Sequence, residues 1–364
     1  RKVWKEEYTF WGKLSKSLGL TQSLTEDDLK NWEPLVYDGC TLCGRCSMVC
    51  PMGIDIASII QKVKVGLATA DYSPNDLVQA TQRAVELGSP MGIKLPALKA
   101  QIKHVEDDIG LTVPMDIEGA EYMALLSSME IINFPEYLES LTRIFHQAGV
   151  SWTLCSDAFE ATNSGLQIGN NAIAAQLVER VVAGAEKLKV KSVISPECGH
   201  AYAAIRWNGP NYIGRPYSFK VIHILELLDE LKQSGRLKTK GKDNTRLTFH
   251  DPCQIVRRGG VEAQPHQLLG SVAENFVEMT ENGHMNWCCG GGGGVSSIER
   301  AEGLRVKVFS RKKSQLDELN VDKIVTACAN CRLVMEEGLE ENDMDIPIVG
   351  LTEVIAEQLD ESNS

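Results

Sequence analysis

Apolar positions along this chain follow two different rhythms. From Asp55 to Ala68, Ile56, Ile59, Ile60, Val63 and Leu67 recur at helical spacing. Ser73-Pro74 then breaks the pattern, and Asp76–Leu87 predicts a second helix that stops at Gly88. Upstream, Val3–Leu20 places Trp4, Tyr8, Trp11 and Leu18 near one face of a predicted helix closed by Gly19. That aromatic face serves either a partner subunit or the chain's own core. Thr25 to Asp28 reads as an N-cap with an acidic first turn.

From about Glu121 the texture changes to short apolar runs separated by longer helical patterns. Strands are predicted at Tyr122–Leu126, Ser151–Leu154, Ser192–Ser195, Leu247–His250, Lys323–Thr326 and Ile346–Val349. Helices are predicted at Pro135–Gln147, Ala172–Leu188, Ile222–Gln233, Ala301–Leu319 and Leu333–Leu339. This alternation predicts an α/β fold with βαβ units and mostly parallel sheets. Glycine- and charge-rich Ser234–Asn244 reads as the linker between two such units.

Cysteine placement carries the chemistry. Cys40, Cys43, Cys46 and Cys50, with Pro51 behind, form one C-x2-C-x2-C-x3-C-P run, the ferredoxin spacing for a cubane iron–sulfur cluster. A structural zinc site prefers two well-separated ligand pairs, so the run fits zinc poorly. A second group comprises His250-Asp-Pro-Cys253, Cys288-Cys289-Gly290 and Cys328-Ala-Asn-Cys331. Neighbouring cysteines on a regular strand face opposite ways, so Cys288 and Cys289 require a bent turn. Gly290 to Gly294 supply it, with Gly290 and Gly291 placed to let backbone approach a bulky cofactor. The three groups follow predicted strands and should converge on one sheet edge.

Composition bounds the rest. A net charge of −12 argues against nucleic acid as a partner. The charged, aromatic beginning does not read as a secretory leader, although a start at Arg1 implies residues before it. The 11 cysteines therefore point to metal rather than disulfides, in a cytoplasmic setting. No apolar stretch approaches ~18 residues, so no direct membrane span is expected.

The five later cysteines, in this order and spacing, resemble the CCG domain of the heterodisulfide reductase catalytic-subunit family. With the cubane run ahead of them, the order resembles that family's D-type members. The resemblance covers roughly residues 36–60 and 120–350. It implies one cubane [4Fe-4S] cluster on Cys40, Cys43, Cys46 and Cys50, and one noncubane [4Fe-4S] cluster on Cys253, Cys288, Cys289, Cys328 and Cys331. The implied division is a docking segment at 1–35, a helical ferredoxin-like domain at 36–115, a degenerate CCG unit at 116–240 and an intact one at 241–364. In the degenerate unit, Ser127-Ser128 stands for the first cysteine, Cys155 for the pair, and Cys198-Gly-His200-Ala201 for the CxxC.

A lost second ferredoxin run leaves Gly88-Ser89-Pro90 as an echo of the first, so Ser89 competes with Cys50 as fourth cubane ligand. Thiolate preference favours Cys50. Within that family the arrangement resembles the heterodisulfide-reductase-like subunit (DsrK/HmeD type) of the membrane complex of dissimilatory sulfur metabolism. That match implies a subunit held on the inner face of the cytoplasmic membrane by a quinone-interacting membrane partner. It also implies disulfide or trisulfide chemistry on a cysteine-tailed sulfur-carrier protein. His250 is either a proton donor to a leaving thiolate or a histidine that fixes its loop, Arg257 attracts a substrate carboxylate or offsets cluster charge, and Cys198 is either an inert buried thiol or, with His200, faces the cluster across the cleft. An alternative is an electron-transfer subunit of a glycolate, lactate or glycerol-3-phosphate oxidoreductase, and the last is a zinc-stabilised scaffold.

Overall fold

The computed structural model describes residues 9–20 and 24–360. Trp4 and Tyr8 of the expected aromatic face lie outside the described residues. Within them, Phe10–Ser17 is a helix with no buried residue, and Trp11 is 75% exposed. Thr25 closes a capping box with Asp28 at the head of helix Glu26–Tyr37. The helices Ile56–Thr69 and Asn75–Leu87 follow the predicted periodicity to within a residue at each end.

Among the described residues, eight strands form two four-stranded, all-parallel sheets. The first comprises β1 (Tyr122–Ala124), β2 (Trp152–Thr153), β3 (Ser192–Ser195) and β4 (Lys220–His223), in the order β2-β1-β3-β4. The second comprises β5 (Asp243–His250), β6 (Ala273–Val277), β7 (Lys323–Thr326) and β8 (Ile348–Gly350), in the order β6-β5-β7-β8. The same order in both sheets is the structural form of the internal repeat. Two of these strands escape the sequence pattern. β4 takes the first two residues of the helix predicted from Ile222, which starts instead at Ile224. Its residues pair with Ser192–Ser195 at a sheet edge, and a run of four that leads straight into a helical pattern does not stand out from it. β6 is likewise an edge strand, with Glu274 and Asn275 exposed.

The sheets do not stand on separate cores. Leu138, Leu141 and Phe145 from helix Glu136–Gln147 share one apolar cluster with Leu351, Val354 and Ile355 from helix Leu351–Glu357. Leu98, Ile102 and Val105, on helix Leu95–Ile109, join that cluster too. Each such buried aliphatic side chain contributes about 1.5–3 kcal/mol of transfer free energy, so the halves are held as one body. The earlier helices complete a smaller cluster in which Val36, Tyr37, Leu67 and Leu77 meet Ile168 from the first unit and Val295 and Ile298 from the second. The four-cysteine run is thereby seated on both α/β units.

Candidate metal centre

Cys253, Cys328 and Cys331 lie just beyond a strand's C-terminal end, whereas Cys288 and Cys289 follow β6 only after the turn Gly283–Met285. β5 ends at His250 and Cys253 follows; β7 ends at Thr326 and Cys328 and Cys331 follow. Cys328 is the N-cap of helix Ala329–Glu340, and the backbone amides of Gly199, Asn330 and Cys331 are directed at its sulfur. Gly290, Gly293 and Gly294 adopt φ values of 103°, 65° and 92°, the left-handed region that a turn after a double cysteine requires. Cys289 and Cys331 bring their sulfurs to 3.3 Å. One ring nitrogen of His250 and these two sulfurs all lie within 4.8 Å of one another. Both ring nitrogens of His250 are buried and without a hydrogen-bond partner. Burial holds this histidine well below its usual range, so it is a neutral imidazole aimed into the cysteine cage.

The thiols of the cage are coupled. Cys288, Cys289 and Cys328 are pulled below the ordinary thiol range, chiefly by Cys253, Cys288 and Cys331 respectively. Cys253 and Cys331 are pushed up in return, first by Cys288 and Cys289. Thiols that share protons in this way form a set ready to bind metal as thiolates.

The first cysteine run abuts this cage. Gln254 Nε2 donates to the Leu42 carbonyl at 2.8 Å, and Arg257 Nη1 donates to the Cys43 carbonyl at 2.9 Å. Arg257 also donates to the His284 carbonyl at 2.6 Å and to the Asn286 carbonyl. Arg45 pairs with Glu281 at 2.6 Å and lies 3.8 Å over the Trp287 ring. A Cβ on Gly292 would stand 2.7 Å from the Thr41 carbonyl oxygen, and one on Gly293 would stand 3.0 Å from the Thr41 carbonyl carbon. Absence of side chains in the glycine run therefore admits the backbone of the four-cysteine run. Gly290 has more room, and a Cβ on Gly291 would press on Val334 at 2.5 Å.

Cys40, Cys43 and Cys50 are partly buried, whereas Cys46 is exposed. Ser89 is fully buried, with its hydroxyl 2.9 Å from that of Ser128. Ser128 in turn donates to Glu160 at 2.9 Å. Cys155 lies among Val181, Val182 and Ala185, with its sulfur 3.0 Å from where a Cβ on Gly184 would be. Cys198, 7% exposed, is the N-cap of its helix with φ −139° and ψ 104°, close to the −149° and 110° of Cys328. The two are structural counterparts, and burial, then Cys328, pushes the Cys198 thiol well above its usual range.

His200 lies beside the cage, its Nε2 accepting from the Gly293 amide at 2.9 Å. Burial, then Lys64, holds His200 down to about 4, so it stays neutral. Two cavities meet at His200 and Gln167. One, of about 430 Å³, is lined by Cys198, Ser128, Asn330, Arg83, Pro90 and Ser296. The other, of about 330 Å³, is lined by Trp207, Tyr212, Gln254, Lys62 and Arg258.

Two residues without any motif complete the site. Lys64 and Lys312 are both fully buried. Lys312 Nζ donates to Asn286 Oδ1 at 2.7 Å, and Lys64 Nζ to the Gly293 carbonyl at 2.6 Å. Burial holds both down to about 8. Neither is among the ion pairs of the described residues, and the carboxylates nearest in effect are already engaged: Asp251 with His266 and Asp38 with Arg300. A buried cation with neutral partners costs several kcal/mol unless an anion lies nearby. Thiolate-ligated iron–sulfur clusters, which are anionic, are the group this donor set and these cations fit. Both lysines were invisible to sequence reasoning, because each sits in a helical pattern where lysine ordinarily faces water.

Residues 247–336 match the family model described as a cysteine-rich (CCG) domain. Over 96% of its length the chain is 27% identical to the D-type subunit of the dihydromethanophenazine:CoB–CoM heterodisulfide reductase of Methanosarcina barkeri, spanning 86% of that protein. It is 24% identical to the Hdr-like menaquinol oxidoreductase iron-sulfur subunit 2 of Archaeoglobus fulgidus, over 99% of this chain and 73% of that one. It is 25% identical to the EtfAB:quinone oxidoreductase of Syntrophomonas wolfei, over 89% of this chain and 48% of that one. The class is that of CCG-domain iron–sulfur oxidoreductases. Within that class, the chain is similar along most of its length to D-type heterodisulfide reductase subunits.

Proposed function

We propose that this chain is the catalytic iron–sulfur subunit of a membrane-associated respiratory complex. In this reading Cys40, Cys43, Cys46 and Cys50 hold a cubane [4Fe-4S] cluster, and Cys253, Cys288, Cys289, Cys328 and Cys331 hold a noncubane [4Fe-4S] cluster. When bound, the clusters supply one-electron transfer and, at the five-cysteine site, cleavage or formation of a sulfur–sulfur bond. The balanced reaction is a disulfide plus two electrons and two protons giving two thiols, or its reverse; a trisulfide serves equally. The observation that carries the reading is the cage itself, with the unpartnered nitrogens of His250 directed into it and the four-cysteine run packed against its rim.

The chain's own groups have distinct tasks. Neutral His250, whose ring nitrogens have no protein partner, stands where its N–H would donate to a sulfur of the bound cluster or substrate. Arg257 spends its guanidinium on three carbonyls, so it offsets cluster charge while tying the Cys43 loop to the loop before Cys288. Cys198 and His200 border the cavity through which a thiol substrate reaches the cage. Gly290 gives the backbone its turn beside the cofactor.

Among the described residues no helix is long and apolar enough to cross a membrane. Electrons must therefore arrive through protein contact, and relatives named as menaquinol and quinone oxidoreductases support a quinone-linked membrane partner. The exposed Phe10 and Trp11 suit attachment to that partner on the cytoplasmic face. The sulfur substrate is in this reading a small cysteine-tailed carrier protein. Anaerobic oxidation with a thiol substrate, followed by EPR, tests the proposal: the signal should broaden with 57Fe and with 33S-labelled substrate. A noncubane signal indifferent to every thiol tried, yet reduced readily by a flavoprotein, assigns the chain to electron transfer alone.

A further inference from the structure

The helix Ile56–Thr69 presents an inward face of Ala57, Ile60, Val63 and Leu67, and one lysine among them. Lys64 is 0% exposed and lines neither of the two cavities beside His200, so it meets neither water nor substrate. Its ammonium lies 4.8 Å over the ring of Tyr37 and donates to the carbonyls of Gly293, at 2.6 Å, and Gln167, at 3.5 Å. All of these partners are uncharged. A methionine would fill the same volume without the desolvation of an ammonium, so packing does not account for a lysine here.

The position of Gly293 gives the charge its meaning. Its peptide unit is held from both sides, the amide by His200 and the carbonyl by Lys64. This glycine belongs to the loop that follows Cys288 and Cys289. A Cβ on it would also stand 3.1 Å from the carbonyl oxygen of Cys40. Lys64 interacts electrostatically with Cys40, the first cysteine of the other set. One buried cation thus stands where the two cysteine sets come together, whereas Lys312 faces only the five-cysteine cage.

We propose that Lys64 is a charge common to both clusters, which makes each of them easier to reduce. This rests on the iron–sulfur reading above. Adding an electron to a thiolate-ligated cluster increases its negative charge, and a fixed cation in a poorly screened interior stabilises the reduced form. Because Lys64 stands between the two sets, its effect reaches both and favours the state in which both are reduced. It acts as a positioning charge and touches no substrate.

The test is an EPR-monitored redox titration of the anaerobic, cluster-loaded protein, comparing Lys64→Met and Lys64→Arg with the parent. Loss of the charge should make both clusters harder to reduce by about tenfold or more in the one-electron equilibrium constant, about 59 mV per tenfold. Lys64→Arg should stay near the parent. Potentials unmoved in Lys64→Met at full iron content, or moved equally in both variants, overturn the proposal. If Lys64→Met assembles no cluster while Lys64→Arg does, the charge is needed even to bind the anionic groups, and the proposal stands. Failure of both variants to hold iron makes the residue a packing element, and the proposal falls. A parent protein with no cluster signal at all refutes the iron–sulfur reading instead, so the two failures are distinct.

Discussion

The sulfur of Cys288 lies 3.3 Å from the hydroxyl oxygen of Thr41. Thr41 sits between the first two cysteines of the four-cysteine run, and Cys288 opens the double cysteine of the five-cysteine cage. Cys43 is also pushed up, first by its hydrogen bond to Cys288. The two sets are thus in side-chain contact, and in the proposed two-cluster reading an electron would pass between them without a third carrier. The docking of the run against the second unit becomes as much a part of the site as the ligands themselves.

Ligand roles separate cleanly by substitution. Cys289→Ser should abolish the noncubane EPR signal and leave the cubane signal in place. Cys155→Ser should leave iron, sulfide and both spectra unchanged, because Cys155 is packed in the apolar layer of the first sheet. It should cost about 1–2 kcal/mol in unfolding free energy for a buried hydroxyl. Iron lost in Cys155→Ser would mean the first unit still carries metal.

The fourth cubane ligand is decided by a pair of variants. The Ser89 hydroxyl is engaged by Ser128, and Ser89→Ala should therefore cost about 1 kcal/mol without changing iron content. Cys50→Ala should give a three-iron cluster or no cluster at that site. The opposite pattern in iron analysis would make Ser89 the ligand.

Much of this was legible in the residues, and the illegible parts have physical causes. The two cysteine sets were readable because ligand spacing is a local property of the chain, and β3 and β7 because buried parallel strands are short continuous apolar runs. β4 carries as short a run, but the helical pattern from Ile224 follows it without a break and absorbs it, and β6 is interrupted by exposed Glu274 and Asn275. The glycine run was readable as a turn, but its closeness to Cys40 and Thr41 depends on a contact across some 250 residues of chain, which no local pattern encodes. Lys64 and Lys312 are hidden for the same reason: a lysine in a helix looks solvent-facing until tertiary packing buries it.

Lys312 offers a control on cluster electrostatics. Its ammonium donates to Asn286 Oδ1 and lies 3.5 Å from the Met279 sulfur, within reach of Cys288, Cys289 and Cys331. Lys312→Met should make the noncubane cluster harder to reduce by roughly tenfold or more, about 59 mV. The cubane potential should hold. An equal shift at both sites in a redox titration would show that the charge is not local to the cage.

His266 supplies a pH dependence. Burial works against its charged form, but hydrogen bonds to Asp251 at 2.8 Å and Glu278 at 2.6 Å outweigh burial and raise it to about 10. The unfolded value lies near ~6.5. A raised folded value contributes stability that is fully present below about pH 6.5 and is lost as pH rises through about 10. His266→Gln should therefore be less stable than the parent by on the order of 2 kcal/mol at pH 6 in anaerobic urea unfolding. The difference should shrink toward pH 10. A gap that stays constant from pH 6 to 10 would show that the imidazole is not held as a cation.

Gly292 tests whether the close approach of the two cysteine sets matters in itself. A Cβ there would stand 2.7 Å from the Thr41 carbonyl oxygen and 3.4 Å from the Thr41 Cβ, so the two backbones must separate by several tenths of an ångström. Neither neighbour is the end of a flexible side chain. The Thr41 segment is anchored on both sides, by Gln254 at Leu42 and Arg257 at Cys43, and cannot yield alone. Gly292→Ala should cost about 1–3 kcal/mol, as overpacking of a close contact does. All nine cluster cysteines remain present, so iron and sulfide content should hold at moderate temperature. Stopped-flow reduction of the noncubane cluster through the cubane should slow, while direct chemical reduction of either cluster proceeds as before. Unchanged transfer in a fully loaded Gly292→Ala protein would mean that electrons do not cross at the Cys40–Gly293 contact.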